Sequence, residues 1–356
     1  MRTYLITGGA GFIGSNFIHS LFKKYEDQIF VINLDKLTYA GNLSNLDCIK
    51  DRKNYTFIHG DICDEELLES IFQKYEIDFV VNFAAESHVD RSIKDPGIFV
   101  KTNVLGTQTL LFSATRHWKT PVGFKDGKKF LQVSTDEVYG SLGESGYFTE
   151  KTPLDPHSPY SASKAAADLL VKSYFDTYKM PINITRCSNN YGPYQFPEKL
   201  IPLVINNYIN KQPIPVYGDG MNVRDWIYVS DHCDAIDNVL HHAKPGEIYN
   251  VGSNNEKKNI DIINEIIKQT NKMLRVDNSQ INKDNLYRYI TDRKGHDRRY
   301  AIDSSKIKND LGWEAKTKSK DGLCSTISWY LNNKEWLSKI TKGEYKAYYT
   351  EFYHKK

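Results

Sequence analysis

The chain has 356 residues, and its 47 Lys and Arg stand against 44 Asp and Glu for a formal net charge of +3. A balance this close excludes nucleic acid or an anionic membrane as the main partner, so any phosphate binding has to be local. No apolar run approaches the ~18 residues that span a bilayer, and the scattered cysteines (Cys48, Cys63, Cys187, Cys233, Cys324) fit neither a disulfide framework nor a zinc site.

The first strand-like run, Tyr4-Leu5-Ile6-Thr7, follows the start of the chain with no charged leader or cleavage site, and a cytoplasmic protein is expected. Similar runs recur at 29–34, 55–58, 78–85, 129–134 and 182–187, separated by stretches long enough for helices. That alternation predicts an α/β fold, a Rossmann-like doubly wound parallel sheet. The length exceeds the ~250–300 residues at which one core stops growing, so a second, smaller mixed α/β lobe is expected. Pro193, Pro197, Pro202, Pro213 and Pro215 break the chain from about 188 onward, where that substrate-binding lobe begins. Residues 225–243 read as strand then helix and 247–252 as another strand, which predicts a return to the first domain. The expected division is 1–187 plus about 225–252 for the cofactor, about 188–224 plus 253–335 for the substrate, and 336–356 as a tail. Asn254–Asn259 and Lys316–Lys320 read as solvated loops.

Run 3–7 leads into Gly8-Gly9-Ala10-Gly11-Phe12-Ile13-Gly14, and an apolar helical pattern follows. Glycines at 8, 11 and 14 let the backbone turn tightly and approach a pyrophosphate at the positive end of the next helix. The second strand ends at Asp35, whose carboxylate suits adenosine ribose hydroxyls and repels a 2′-phosphate, favouring NAD over NADP although Lys36 lies next to it. Asp61 closes the third strand, and Ala84 and Ala85 close the fourth, either admitting a cofactor or simply packing.

Tyr160 and Lys164 share a face of a helix starting after Pro159. Alone they read as a surface contact; beside a dinucleotide fingerprint they read as a tyrosine base whose pKa an ammonium lowers. The fifth strand ends Ser134-Thr135-Asp136-Glu137-Val138-Tyr139-Gly140. Asp136 and Glu137 suit either a turn or cap, or an acid and a base for a proton-transfer step beyond simple oxidation, such as elimination.

Together GGAGFIG, the Tyr160/Lys164 pair and STDEVYG resemble the extended short-chain dehydrogenase/reductase superfamily, in its nucleotide-sugar branch of dTDP-glucose 4,6-dehydratases. FAAESHVDRSI (83–93), KTNVLGT (101–107), RCSNNYGPYQFPEKLIP (186–202), YGDGMNVRDWIYV (217–229) and RKGHDRRYAID (293–303) extend the similarity to about residue 330. Lys294 stands where proline is expected, and 117–129 and the tail look particular to this chain. The resemblance implies a hydro-lyase that takes dTDP-glucose to dTDP-4-keto-6-deoxyglucose with NAD, in rhamnose or other deoxysugar synthesis. It implies Tyr160, Lys164 and Thr135 at the C4 oxidation, Glu137 as base at C5 and Asp136 as acid at C6. For the cofactor it implies Gly8, Gly11, Phe12, Ile13, Gly14, Asp35, Lys36, Thr38, Asp61, Ile62, Ala84, Ala85, Thr102, Tyr160, Lys164 and Asn190. For the sugar nucleotide it implies Ser87, Thr135, Asn189, Lys199, Leu200, Tyr217, Arg224, Asn259, Arg293 and His296, with Asp297 nearby. No metal is expected, and a homodimer is implied, packed through helices near 100–116 and 160–178, where Ala162, Ala165, Ala166, Leu169 and Leu170 offer a small-residue face that suits such packing or, equally, the chain's own core.

A sugar 4-epimerase or decarboxylase shares the glycine motif and the Tyr/Lys pair, but an epimerase needs no C5–C6 elimination and so gives no reason for Asp136-Glu137. A CDP- or UDP-sugar dehydratase and a catalytically silent NAD- or sugar-binding regulator are the other readings.

Overall fold

The computed structural model describes residues 1–276, 286–342, 349 and 350; most of the expected tail, and 277–285 of the expected substrate lobe, lie outside them. The strands are β1 (Arg2–Thr7), β2 (Ile29–Asp35), β3 (Tyr55–His59), β4 (Phe79–Asn82), β5 (Lys119–Thr120), β6 (Gly123–Phe124), β7 (Lys129–Thr135), β8 (Ile182–Cys187), β9 (Asn189–Tyr191), β10 (Ile214–Tyr217), β11 (Val223–Tyr228), β12 (Ile248–Val251), β13 (Glu256–Lys258) and β14 (Tyr287–Ile290). The helices are α1 (Phe12–Tyr25), α2 (Glu65–Lys74), α3 (Val89–Lys94), α4 (Pro96–Phe99), α5 (Thr107–Trp118), α6 (Pro159–Tyr178), α7 (Leu200–Ile209), α8 (Val229–His242), α9 (Asn259–Leu274), α10 (Ser305–Leu311), α11 (Ser319–Asn332) and α12 (Lys334–Ile340).

Seven strands form one parallel sheet in the order β12-β8-β7-β4-β1-β2-β3. Successive side chains of a strand point to opposite faces, and both faces here are apolar. Tyr4, Ile6, Val31, Val81 and Val133 enter one core with residues of α1 and α8, while Leu5, Ile32, Val80 and Phe130 enter the other with residues of α2, α5 and α6. This double covering is why the runs read as continuous apolar segments. A third core joins Tyr191, Val204, Trp226, Ile263 and Ile327 in the smaller lobe.

One expectation fails in its detail. The strand near 225 does not return to the large sheet: β11 pairs with β9 and β13 in a small three-stranded sheet. The return comes with α8, packed on α1, and with β12, which pairs with β8. The stretch 117–129 carries the end of α5 and the short β5–β6 hairpin.

The β1–α1 turn fixes the approach of the strand ends. Gly8 has φ +70°, and a Cβ on it would stand 2.7 Å from the Ala84 backbone nitrogen. A Cβ on Gly14 would stand 2.4 Å from the Gly8 carbonyl oxygen, so α1 starts almost in contact with the turn. Because backbone has to move to admit it, Gly14→Ala is expected to lower unfolding free energy by about 1–3 kcal/mol in denaturant titration. At Gly143 an added Cβ meets nothing within 4 Å, so Gly143→Ala serves as the comparison and is expected to change stability by less than about 0.5 kcal/mol.

Candidate active site

The carboxyl ends of the central strands open into a cleft of about 410 Å³, with Lys199, Tyr217, Arg224 and Arg293 of the smaller lobe on its other wall. Open α/β sheets bind ligands at this edge, where the strand order reverses. Every site residue singled out from the sequence lines this one cleft, including the peripheral Thr38, Ile62, Thr102 and Leu200.

At one end lies the glycine turn. α1 begins after Gly11 with no side-chain cap and no acidic residue in its first turn, so its positive end meets the cleft uncompensated. Asp35 Oδ2 accepts from the Ala10 amide at 2.9 Å and Oδ1 from the Leu37 amide at 2.8 Å. The carboxylate expected to meet ribose hydroxyls thus braces the turn. Lys36 is paired with Asp61 at 2.8 Å, so its charge is already matched within the protein and makes no special place for a 2′-phosphate.

The reactive end is set by β7. Its last residue, Thr135, caps a 3₁₀ turn over Asp136–Tyr139: the Thr135 hydroxyl accepts from the Glu137 amide at 3.2 Å and donates to Asp136 Oδ1 at 3.3 Å. Asp136 is 2% exposed, and its Oδ2 has no hydrogen-bond partner among the described residues. Burial, then the charges of Glu137 and Asp225, push its pKa well above the usual carboxylate range. Burial raises Glu137 too, but Lys199, Arg224 and Arg293 pull it back. The first proton taken up by the pair therefore belongs on Asp136.

Tyr160 and Lys164 are placed by the start of α6, where Ser158 and Ser161 form a capping box and Pro159 occupies the first turn. The expected effect of Lys164 on the phenol is absent from the protein by itself. Lys164 Nζ donates to the Val133 carbonyl at 2.8 Å, and burial lowers its own pKa. Burial and the charges of Glu137, Cys187 and Asp136 raise Tyr160 well above the ordinary phenol value, with the Thr135 hydroxyl opposing. Tyr160 is a neutral phenol here, and a positive charge entering the cleft shifts it toward ionisation.

On the facing wall, Lys199 Nζ donates to the Ser87 carbonyl. Arg224 donates to the carbonyls of Val223 (2.8 Å) and Asp297 (2.9 Å) and covers the Tyr300 ring at 4.1 Å. Arg293 covers Tyr217 at 4.5 Å and faces Asp90 at 3.9 Å. His296 is bonded to Asp292, and burial followed by Arg293 and Arg224 pushes its pKa down to about 4, so it is neutral. Asn189 and Asn259 each present a buried side-chain oxygen with no hydrogen-bond partner among the described residues. Both ends of the Asn190 amide, in contrast, are engaged within the protein, with the Ser188 carbonyl at 3.0 Å and His232 Nδ1 at 2.9 Å. The Asp297 carboxylate is likewise held, by His157 and Tyr300.

Sequence reasoning missed His88, Cys187, Glu198 and Tyr300, all of which line the cleft. All four lie inside the family-like segments (83–93, 186–202 and 293–303), and the charge of Glu198 beside Lys199 was the available signal. Among the described residues no cluster of His, Cys, Asp and Glu is arranged to hold a metal.

A family model described as GDP-mannose 4,6 dehydratase matches residues 5–326. A dTDP-glucose 4,6-dehydratase of Xanthomonas campestris pv. campestris (strain B100) is 50% identical over 97% of this chain and 98% of its own length. The crystal structure of a dTDP-glucose 4,6-dehydratase from Bacillus anthracis str. Ames in complex with NAD is 48% identical, covers 96% of this chain and 100% of that one, and superposes with a TM-score of 0.84. That of a dTDP-glucose 4,6-dehydratase from Streptomyces venezuelae with NAD and TYD bound is 45% identical, covers 95% of this chain and 100% of that one, and has a TM-score of 0.86.

His232, wholly buried behind Asn190, has its pKa pushed down to about 3 by burial. Below about pH 6.5 the unfolded chain takes up a proton that the folded one refuses, so stability from this group is complete above that pH and is lost as pH falls toward 3. His232→Asn keeps a donor toward Asn190 and removes the titration. The parent's advantage over this variant in urea midpoint is expected to shrink from about pH 7 to about pH 4; an unchanging advantage contradicts the assignment.

Proposed function

Since this chain belongs to the GDP-mannose 4,6 dehydratase family and, within it, to the dTDP-glucose 4,6-dehydratases, we propose that its cleft performs that reaction on residues of its own. The chain is an NAD-dependent hydro-lyase that converts dTDP-glucose to dTDP-4-keto-6-deoxyglucose and water. The single observation carrying the assignment of residues is the buried Asp136-Glu137 pair beside Tyr160, since an epimerase has no work for it.

The cradle fits the dinucleotide. Gly8 and Gly14 let the turn close against the Ala84 backbone and the Gly8 carbonyl so that α1 starts at the strand end, the end of α1 is uncompensated, Asp35 stands at the end of β2, and Lys36 is matched by Asp61. When bound, NAD supplies a positively charged acceptor for the hydride of C4 and its later donor to C6. In this reading residues 1–187 with α8 and β12 hold it, and the smaller lobe, with Asn189, Lys199, Arg224, Asn259, Arg293 and His296, holds the sugar nucleotide.

Tyr160, with Thr135 in reach and Lys164 beside it, removes the proton of the C4 hydroxyl. The resulting ketone acidifies C5, whose proton passes to Glu137. Asp136, kept protonated by its burial and by its neighbour, gives its proton to the C6 hydroxyl, which leaves as water. Glu137 then returns a proton to C5. One water is lost and no net oxidation occurs.

The product class serves rhamnose or other deoxysugar synthesis, and a cytoplasmic setting is supported by the five free cysteines. No helix among the described residues is long and apolar enough to cross a membrane. A homodimer is supported by exposed apolar side chains on the 100–118 segment and α6, namely Val100, Leu105, Phe112 and Leu169. Of the small-residue face, Ala165 is core at 5% exposure, the intrachain alternative for that position. Replacing Leu105 and Leu169 together by Asp is expected to yield a monomer by light scattering, and a retained dimer contradicts this interface.

Incubated with dTDP-glucose, CDP-glucose and UDP-glucose in separate vessels, the protein is expected to remove one water, by mass, from dTDP-glucose; no water loss from any of them overturns the function. Asp136→Asn and Glu137→Gln are expected to retain NAD and to lose about 10²–10⁴ in turnover. In deuterated water Asp136→Asn is expected still to exchange C5 of bound sugar, whereas Glu137→Gln is not. Unchanged turnover in both variants contradicts the roles.

A further inference from the structure

The loop from Lys36 to Asn42 follows Asp35 along the adenosine end of the cleft, and Thr38, Ala40 and Gly41 line that cleft. Between them, Tyr39 reaches the smaller lobe: its hydroxyl donates to Glu198 Oε1 at 2.9 Å. Arg91 of α3 lies over the same ring, its guanidinium carbon 3.6 Å from the centroid, and its Nε donates to the other oxygen, Glu198 Oε2, at 3.3 Å. The Glu198 side chain is 1% exposed, so its carboxylate is enclosed and held by two groups from the opposite side of the cleft. Phe196 packs edge-on against Tyr39 at 5.8 Å, and Lys199, which follows Glu198, is bonded to the Ser87 carbonyl. Leu37, at the start of the loop, has φ +53°, a conformation that leucine keeps only where its surroundings impose it.

We propose that Tyr39, Arg91 and Glu198 form a latch that closes the 36–42 loop over the adenosine end of the bound dinucleotide and sets how slowly it leaves. The inference rests on the proposed function, in which the cofactor ends each cycle in the state in which it began. Escape in mid-cycle strands a ketosugar, whereas a simple dehydrogenase has to release its cofactor. Charge-assisted hydrogen bonds on an enclosed carboxylate are among the stronger ties a surface loop can have. Tyr39 is thus a positioning residue, acting on the dinucleotide through the loop that carries it.

The test is exchange. Protein carrying NAD is mixed with an excess of isotopically labelled NAD, and the bound pool is followed by mass spectrometry after gel filtration. Tyr39→Phe keeps the ring under Arg91 and removes only the hydroxyl, and it is expected to speed exchange about tenfold or more, the effect of one hydrogen bond to a charged group. Glu198→Gln is expected to act in the same direction, and the double variant to exchange far more slowly than the product of the two single effects, because both remove one contact. During turnover Tyr39→Phe is expected to leave reduced cofactor in the filtrate and the parent none. Exchange in Tyr39→Phe within about twofold of the parent, or multiplicative single effects, overturns the latch. A parent that neither carries nor takes up NAD overturns the latch together with the function it rests on, and the parent control separates that outcome from failure of the latch alone.

Discussion

Two adjacent carboxyl groups buried at the end of the central strand β7 are the constraint on which the rest of the site depends. Neither can ionise freely: burial raises both, and each charge formed there opposes the other. Their surroundings break the tie. Lys199, Arg224 and Arg293 all bear on Glu137 against Asp297, whereas Asp136 lies deeper, at 2% exposure, with Asp225 as a further negative neighbour and Arg224 alone of these cations opposing. One strand end thereby offers a proton donor and a proton acceptor one residue apart, which is what an elimination needs and a plain oxidation does not.

The smaller lobe is what holds this division in place. Lys199 and Arg224 are fastened to backbone carbonyls of Ser87, Val223 and Asp297, so their positions are fixed before any sugar arrives. Such prior placement avoids reorganisation at the moment of reaction. The cost is stability in acid, below about pH 6.5, since the buried His88 and His232 and the half-buried His296 resist protonation.

What the sequence made legible was local. The glycine turn, Asp35 at the end of a strand and Asp136-Glu137 after another depend on neighbours along the chain, and a parallel sheet with both faces covered writes itself as repeated apolar runs. What escaped depended on partners far away. Whether β11 joins the large sheet or the small one is decided by pairing with β9 and β13, 31 to 37 residues off on either side. That Lys164 spends its ammonium on the Val133 carbonyl, that Asp35 braces Ala10 and Leu37, and that Glu198 is enclosed between Tyr39 and Arg91 are facts of tertiary packing without a local signature.

The central claim is that the pair holds one proton at neutral pH and that Asp136 carries it. Infrared difference spectra of the dinucleotide-loaded protein, parent against Asp136→Asn and parent against Glu137→Gln, read this directly. The carbonyl stretch of a protonated carboxyl is expected to vanish in Asp136→Asn and to persist in Glu137→Gln. A band lost in Glu137→Gln alone, or no such band in the parent, contradicts the account.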